Sequence, residues 1–232
     1  MENNPEFDKI ADKYHTEIIE NLGSFGKFRQ STLSYKAQYL HYLLPFEPKG
    51  ILDYGCGTGS NIPYLHKYFP DATLYGCDIS KESVRRAKEN FRECTFDTIK
   101  TAKDLINIYK TKIDCVFVST VLHHIPHCKH EEWLTGLFET LEKGGYMMIF
   151  EHNMKNPFTK RIVKRTPMDQ NAMMLNCGYC KKMIRTIFGS QSIIQHGYTY
   201  FFPWRNRVFT GIEHKLSRLP LGAQYYVLAR KC

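Results

Sequence analysis

Long apolar runs are missing from this 232-residue sequence. No stretch of 18 consecutive apolar residues occurs, so a membrane-spanning helix is not expected. Residues 1–5 begin no charged-then-apolar signal segment, and we therefore expect a cytoplasmic protein. Internal repeats and low-complexity tracts are also missing, while the 43% share of hydrophobic residues is ordinary for a globular protein. These features together predict one α/β domain over residues 1–232.

A second pair of closely spaced cysteines is missing as well. Of the eight cysteines, only Cys177 and Cys180 have the Cys-x-x-Cys spacing, so no zinc site is completed and reduced thiols are expected. A histidine-rich stretch could bind a transition metal through the side chains of His123, His124, His127, Cys128 and His130. It lacks the His-Glu-x-x-His spacing, and the helix that follows accounts for the stretch without an ion. We therefore expect no metal site.

Acidic residues are scarce in one segment. The formal net charge is +9, and residues 155–185 contain eight Lys or Arg and a single acid, Asp169. Concentrated positive charge attracts anions, which could be a phosphorylated or nucleotide-linked substrate, a nucleic acid or an acidic membrane face. A solvated basic surface without a partner is the alternative.

A glycine-rich turn organises the rest of the chain. Residues 51–60 read Ile-Leu-Asp-Tyr-Gly-Cys-Gly-Thr-Gly-Ser, which predicts a short buried strand, a tight turn and a helix start. The spacing does not fit the dinucleotide fingerprint, whose last glycine would fall on residue 60 or 62. Asp53 stands two residues before the first glycine, and a carboxylate there would repel a phosphate. It would favour an amino acid or a sulfonium ion.

Asp78 ends the next predicted strand, 19 residues after Gly59. A carboxylate at the tip of a second parallel strand can accept hydrogen bonds from both ribose hydroxyls of a nucleotide-like cofactor. Dinucleotide-binding enzymes use the same arrangement. Asp78 therefore predicts a ribose, and the glycine spacing decides between the cofactors.

Predicted strands and helices alternate along the chain, which favours a doubly wound parallel sheet. Strands are predicted from residue 51 and over residues 73–78, 94–99, 114–119, 146–150, 192–202 and 223–230. Helices are predicted over residues 7–15, 34–44, 61–69, 80–90, 130–142 and 181–188.

These features resemble, in their order, motif I and the following strands of the class I S-adenosylmethionine-dependent methyltransferases. The resemblance covers roughly residues 5–232 and includes the turn, Asp78, a fourth strand ending at Ser119 and Leu-Glu-Lys-Gly-Gly at 141–145. It implies a Rossmann-like, doubly wound seven-stranded sheet, mostly parallel with one antiparallel strand near the edge. Residues 150–157 and 220–230 are similar to a bacterial subset that methylates small molecules or precursors of cell-surface glycans and secondary metabolites.

The resemblance also implies S-adenosylmethionine as the cofactor and a set of residues that hold it. The N-terminal helices, about residues 5–45, would cap the cofactor cleft. Asp97 is the weakest assignment, because the register of the third strand is unclear and Asp104 is a rival. The implied cofactor-binding residues are Tyr14, Asp53, Gly55, Cys56, Gly57, Gly59, Asp78, Ile79, Asp97 and Ser119.

Three histidines follow predicted strand ends, where ligands bind in open α/β sheets. A hydroxyl acceptor must lose a proton during methylation, and histidine is the usual base near neutral pH. Because neighbouring side chains point in different directions on a helix or turn, we expect only one of His123 and His124 to reach the substrate. His123 is the first candidate and His152 the second, with a packing role as the alternative for each.

The basic segment, about residues 154–185, is interpreted as a lid inserted over the mouth of the sheet. Its cations predict a small anionic acceptor, held by Lys160, Arg161, Lys164 and Arg165. An RNA methyltransferase or nucleic-acid-binding protein is the less favoured alternative, because no RNA-binding module is appended. Residues 119–122 also lack the Asn/Asp-Pro-Pro-aromatic set of amino-methylating base enzymes. A relative that binds the cofactor without catalysis is a third possibility.

Overall fold

The computed structural model describes residues 24–110, 112–202, 212–213 and 215–232. Tyr14 and the predicted helix over residues 7–15 lie outside these ranges. The strands of the described part are β1 Gly50–Tyr54, β2 Thr73–Asp78, β3 Thr95–Thr98, β4 Ile113–Ser119, β5 Leu141–His152, β6 Ile193–Thr199 and β7 Gln224–Arg230.

Helices alternate with these strands in the described residues. They are α1 Ser24–Leu43, α2 Ile62–Tyr68, α3 Lys81–Asn90, α4 Ala102–Tyr109, α5 His130–Thr140, α6 Pro157–Val163 and α7 Cys177–Phe188. Short 3-10 turns lie at Leu122–His124, His127–Lys129 and Pro167–Asp169. None of the described helices is both long and apolar enough to cross a lipid bilayer.

One seven-stranded sheet, in the order β3-β2-β1-β4-β5-β7-β6, forms the centre of the described structure. The first five strands pair in parallel, and β7 runs antiparallel to both of its neighbours, β5 and β6. The predicted architecture, a mostly parallel doubly wound sheet with one antiparallel strand near the edge, is confirmed.

The core lies on both faces of the sheet. Neighbouring strand residues point to opposite faces, so Leu52 packs with α4, α5 and α7 while Ile51 packs with α1, α2 and α3. A central strand that is covered on both faces must be apolar on both. This explains the continuous apolar run of β4.

Several elements differ from the prediction. Helix α1 begins at Ser24 and not near residue 34, α7 begins at Cys177 and not near residue 181, and α6 was not predicted. Helix α4 was not predicted, and it begins with a capping box in which Thr101 and Asp104 exchange side-chain and backbone hydrogen bonds. Asp104, the rival of Asp97 for a cofactor role, is thus a helix-capping residue. Helix α5 ends at Thr140, before the predicted residue 142, because β5 already begins at Leu141, where it pairs with Ile113.

Candidate active site

The carboxyl ends of the parallel strands meet at one edge of the sheet. Strands β1, β2, β4 and β5 end at Tyr54, Asp78, Ser119 and His152, and the residues that follow them build the site. In an open α/β sheet this edge is where ligands bind.

The glycine turn after β1 is left-handed at all three glycines. The φ angles of Gly55, Gly57 and Gly59 are 71°, 54° and 84°. A Cβ atom on Gly55 would lie 2.5 Å from a methyl of Val121, and one on Gly59 would lie 2.7 Å from the ring of Phe91. A Cβ on Gly57 would meet no heavy atom within 4 Å. The outer glycines are therefore required by packing, whereas Gly57 borders open space that a ligand can enter.

Asp78 ties the second strand to this turn. One carboxylate oxygen accepts from the backbone N–H of Gly57 at 2.9 Å, and the other accepts from the N–H of Ser80 at 2.9 Å. A carboxylate offers about four acceptor positions, so these bonds are compatible with further bonds to ribose hydroxyls.

Asp53 is fully buried beneath the turn. The amide of Asn61 donates to both of its oxygens, at 3.1 and 3.2 Å, while the Asn61 carbonyl oxygen is buried without a hydrogen-bond partner. Burial is the main cause that raises the pKa of Asp53 to about 7, and Asp78 adds to it, whereas Asn61 and Lys36 act against it. Because Asp53 has no accessible surface, it favours a nearby cation, such as the ammonium group of an amino acid, through its charge and not through a direct hydrogen bond.

The other predicted cofactor residues lie around the same edge. Cys56 is buried, and its backbone N–H donates to the carbonyl of Cys77 at 3.0 Å. Ile79 follows β2 directly and is partly buried. Asp97, on β3, accepts from the hydroxyl of Tyr109 at 2.8 Å.

Lys36 is a site residue that the sequence-based prediction missed. It is 2% exposed, and its ammonium group donates to the hydroxyl of Ser119 at 2.8 Å, at the end of β4. Its charge also lowers the pKa of Asp53. One signal was available, because position 36 falls on the apolar stripe of α1 that includes Leu33 and Leu40.

A histidine and a glutamate pair beneath the ends of β4 and β5. Nδ1 of His123 lies 2.6 Å from Oε2 of Glu151, and both side chains are 1% exposed. The second oxygen of Glu151 accepts from the backbone N–H groups of Val121 and Leu122, at 3.1 and 2.8 Å. Glu151 thus fixes both the ring and the backbone of the 3-10 turn that carries His123.

The basic segment folds back onto this pair. Oδ1 of Asp169 lies 3.5 Å from Nε2 of His123 and 3.7 Å from Nε2 of His124, and the Met173 N–H donates to the His123 carbonyl at 2.7 Å. The expectation that His123 and His124 point in different directions was wrong. Their ring centroids are 4.1 Å apart because the turn directs both rings at one carboxylate. The ring of His152 lies 5.2 Å from that of His123.

We name His123, Glu151, His152 and Asp169 the histidine–carboxylate cluster. Burial alone would lower the pKa of His123, but the charges of Glu151 and Asp169 raise it to about 9. Burial and the nearby His123 lower the pKa of His152 to about 4. The sequence-based prediction gave Glu151 no role of its own, and it recognised Asp169 only as the lone acid of the basic segment.

The remaining histidines of the histidine-rich stretch face another direction. The ring of His130 bonds to the Tyr179 hydroxyl and to the Leu122 carbonyl, each at 2.9 Å, and His127 stacks on the ring of Tyr179. The fold therefore does not bring the five possible metal ligands of that stretch together.

The four predicted substrate-binding cations lie on and just after α6. Asn156 begins this helix by accepting from the N–H groups of Phe158 and Thr159, at 2.9 and 3.0 Å. The helix starts five residues after His152. An open groove is lined by Pro157 and the four cations Lys160, Arg161, Lys164 and Arg165.

A family model described as a methyltransferase domain matches residues 47–202, more than half of the chain. Among curated relatives, the trans-aconitate 2-methyltransferase of Rhodopseudomonas palustris (strain BisB18) is 30% identical over 104 residues, which cover 44% of this chain and 38% of that enzyme. Curated relatives of this kind are matched over only 19% to 38% of their own length.

Solved structures resemble the chain over nearly its whole length. A methyltransferase from Thermotoga maritima, described as a possible histamine N-methyltransferase, has a TM-score of 0.67 at 18% identity and covers 97% of this chain and 98% of its own. A plantazolicin methyltransferase, solved with a substrate analogue and S-adenosylhomocysteine, has a TM-score of 0.65 at 16% identity and covers 98% and 90%. At these identities the similarity establishes the fold.

Proposed function

The chain belongs to the methyltransferase domain family, and from this premise we propose that it is an S-adenosylmethionine-dependent enzyme that methylates an oxygen of a small anionic acceptor. A sugar-linked precursor of a cell-envelope polysaccharide or a secondary-metabolite precursor is the finer expectation. One observation carries the proposal. The glycine turn with Asp78 and the histidine–carboxylate cluster lie at the same edge of the sheet, and the cationic helix α6 follows this edge directly.

The residues of the turn fit the cofactor. The charge of the buried Asp53 suits the ammonium group of its amino-acid end, Asp78 suits the ribose, and Gly57 borders open space. When bound, S-adenosylmethionine supplies a methyl group that is activated by the positive sulfonium. The protein then contributes mainly by positioning the acceptor, an effect that can supply much of the rate.

The histidine–carboxylate cluster supports oxygen as the acceptor atom. A hydroxyl acceptor must lose its proton, and the ring nitrogens of His123 and His152 are the predicted groups to receive it. Of the two, His152 is neutral near pH 7, whereas, against the effect of burial, Glu151 and Asp169 raise the pKa of His123 to about 9, so His123 must first lose a proton to act as the base. Glu151 fixes the orientation of the His123 ring through Nδ1, so Nε2 is the nitrogen directed at the cluster.

The cations of α6 support an anionic acceptor. Four positive side chains around one groove favour carboxylate or phosphate groups. The relative that is named for trans-aconitate, an organic acid, is consistent with this acceptor class.

The same cations support one other candidate, a nucleic-acid methyltransferase, because phosphate contacts dominate nucleic-acid binding. Nucleic acid stays the less favoured partner. The four cations that line the groove lie on one short helix and just after it, a small surface compared with what a nucleic acid contacts.

Transfer of an isotopically labelled methyl group tests the proposal. Purified protein is incubated with methyl-labelled S-adenosylmethionine and fractionated small molecules of the host, with total RNA as a parallel acceptor. We expect label in an anionic, base-stable small-molecule fraction. Label in RNA would show that the acceptor is a nucleic acid and not a small anionic molecule. Cofactor binding without label in either fraction would indicate a relative that has lost catalysis.

A further inference from the structure

We propose that His123, His152 and Asp169 form a binding site for a divalent transition-metal ion. One donor atom from each of these side chains lies within 4.8 Å of the others. Imidazole nitrogen together with carboxylate oxygen is a donor set that suits Zn²⁺, Fe²⁺ or Mn²⁺.

The distance between the donor atoms of Asp169 and His123 is close to that of two ligands around one ion. Oδ1 of Asp169 is 3.5 Å from Nε2 of His123 and 3.7 Å from Nε2 of His124, longer than the usual N–H···O bond of about 2.7–3.2 Å. Two ligands bonded at about 2.0–2.1 Å to one tetrahedral ion are about 3.4 Å apart.

Glu151 supplies a second and independent argument. Metal-bound histidines usually donate their other ring N–H to a carboxylate, which fixes the tautomer. Glu151 occupies this position at 2.6 Å from Nδ1 of His123, and backbone N–H groups hold its other oxygen. The pairing leaves Nε2 of His123 directed at Asp169, the geometry that a metal ligand requires.

The environment of the cluster also suits an ion. The side chains of His123 and Glu151 are 1% exposed and that of Asp169 is 9% exposed. Two carboxylates from different elements thus converge on imidazole rings in a largely dehydrated place. Buried carboxylates are costly without a positive charge nearby, and a divalent ion would supply that charge.

The site deepens the proposed function and rests on it for the identity of the acceptor. A bound divalent ion lowers the pKa of an oxygen ligand, so it would favour loss of the proton from an acceptor hydroxyl. In this form His123 and His152 act as ligands and not as free bases. Metal binding itself depends only on the described side chains.

Cobalt binding tests the site without reference to methyl transfer. Untagged full-length protein is stripped with a chelator and titrated with Co²⁺, and visible absorption, with metal analysis after dialysis, gives the stoichiometry and affinity. We expect one Co²⁺ per chain with a d–d spectrum of low coordination number. Asp169→Asn and His152→Gln should each weaken binding at least tenfold, and Glu151→Gln by about 10–100-fold.

His127→Gln is the matched control, because His127 is exposed and belongs to the same histidine-rich stretch. It should leave Co²⁺ affinity unchanged, while calorimetry with S-adenosylhomocysteine verifies that each variant is folded. Absence of stoichiometric Co²⁺, or equal affinity in wild type, Asp169→Asn and His152→Gln, would overturn the site. Methyl transfer by stripped protein would reject a role of the metal in the reaction and keep the methyltransferase. Stoichiometric metal binding by a protein that methylates no acceptor would keep the metal site and reject the proposed function.

Discussion

Asp53 is a carboxyl group that the fold buries completely, with a pKa raised to about 7 mainly by that burial. The groups that act on it are Asn61 and Lys36, which favour the charged form, and Asp78, which disfavours it. In the folded, cofactor-free protein Asp53 keeps its proton up to about pH 7, whereas in the unfolded chain it loses the proton near pH 4. Stability therefore falls as pH rises through this window, because the unfolded state binds fewer protons than the folded state.

The first prediction is that binding of the cofactor is coupled to the loss of a proton from Asp53. A cofactor ammonium near Asp53 favours the carboxylate and lowers its pKa, so binding should release at most about 0.8 proton at pH 6.5. The affinity for S-adenosylmethionine should rise between pH 6 and pH 8. Calorimetry in buffers of different ionisation enthalpy measures the proton count.

Two controls isolate Asp53 in this experiment. 5′-Methylthioadenosine lacks the amino-acid end and should bind without releasing a proton. Asp53→Asn should abolish the proton release and lower the affinity for S-adenosylmethionine. It should also stabilise the cofactor-free protein above pH 7 by at most about 4 kcal/mol. Proton release that persists in Asp53→Asn would refute the assignment.

At the scale of elements, the turn between β1 and α2 contains glycines with two different requirements. Gly55 and Gly57 both have positive φ, but only Gly55 would bring a Cβ into contact with Val121. A residue with a side chain costs roughly 1–2 kcal/mol in the left-handed region, and overpacking costs about 1–3 kcal/mol more.

The second prediction compares these glycines. Gly55→Ala should destabilise the protein by about 2–5 kcal/mol, and Gly57→Ala by only about 1–2 kcal/mol. Gly57→Ala should nevertheless lower the affinity for the cofactor at least tenfold, because the added methyl group enters the open space beside the turn. Chemical denaturation and calorimetry measure the two effects. Equal stability losses, or full cofactor affinity in Gly57→Ala, would contradict this account of the turn.

Elements with strong local signals were predicted from the sequence. Strand β2 has the predicted bounds, and α3 begins after Ser80, whose hydroxyl accepts from the Ser83 N–H. Helix α4 was missed because its apolar stripe is short, although its capping residues were readable. Helix α6 was missed because only two of its residues, Thr159 and Val163, are buried.

The residues of the candidate site also differ in how strong their local sequence signals are. The glycine turn and Asp78 are local patterns, so the sequence alone suffices to predict them. The sequence marks Lys36 only as a cation on an apolar stripe and Asp169 only as a lone acid, and it does not show which residues they meet, because each reaches the site through a contact between distant parts of the chain. Lys36 meets Ser119, 83 residues away, and Asp169 meets His123 only when the basic segment folds back.

At the scale of the whole molecule, the basic segment concentrates positive charge in one part of the sequence. The net charge is +9, and the basic segment supplies a large part of it. Its four exposed cations around the α6 groove act over about 8–10 Å at physiological salt, the range of the Debye length. Their effect should therefore reach the acceptor and depend on ionic strength.

The third prediction removes this charge. Changing Lys160, Arg161, Lys164 and Arg165 together to Gln should raise the acceptor KM at least tenfold at low salt and leave the affinity for S-adenosylmethionine unchanged. Steady-state kinetics and calorimetry separate the two quantities. The matched control, on helices α2 to α4 and after α4, changes the exposed Lys67, Lys88, Lys103 and Lys110.

The control variant should keep the acceptor KM of the wild type. An equal rise of KM in both variants would show that the net charge of the protein, and not the cations of α6, attracts the acceptor. A parallel loss of cofactor affinity would show that the basic segment supports the fold of the site and does not recognise the acceptor.

We expect the turn after β1, together with Asp78, to bind a sulfonium cofactor and not a dinucleotide. Calorimetric titration of the purified protein with S-adenosylhomocysteine and with NADH tests it directly. We expect one S-adenosylhomocysteine per chain, no heat from NADH, and at least a tenfold loss of affinity in Asp78→Asn, whose amide cannot accept from both Gly57 and Ser80. Binding of NADH in place of S-adenosylhomocysteine, or an affinity that Asp78→Asn leaves unchanged, would contradict this expectation.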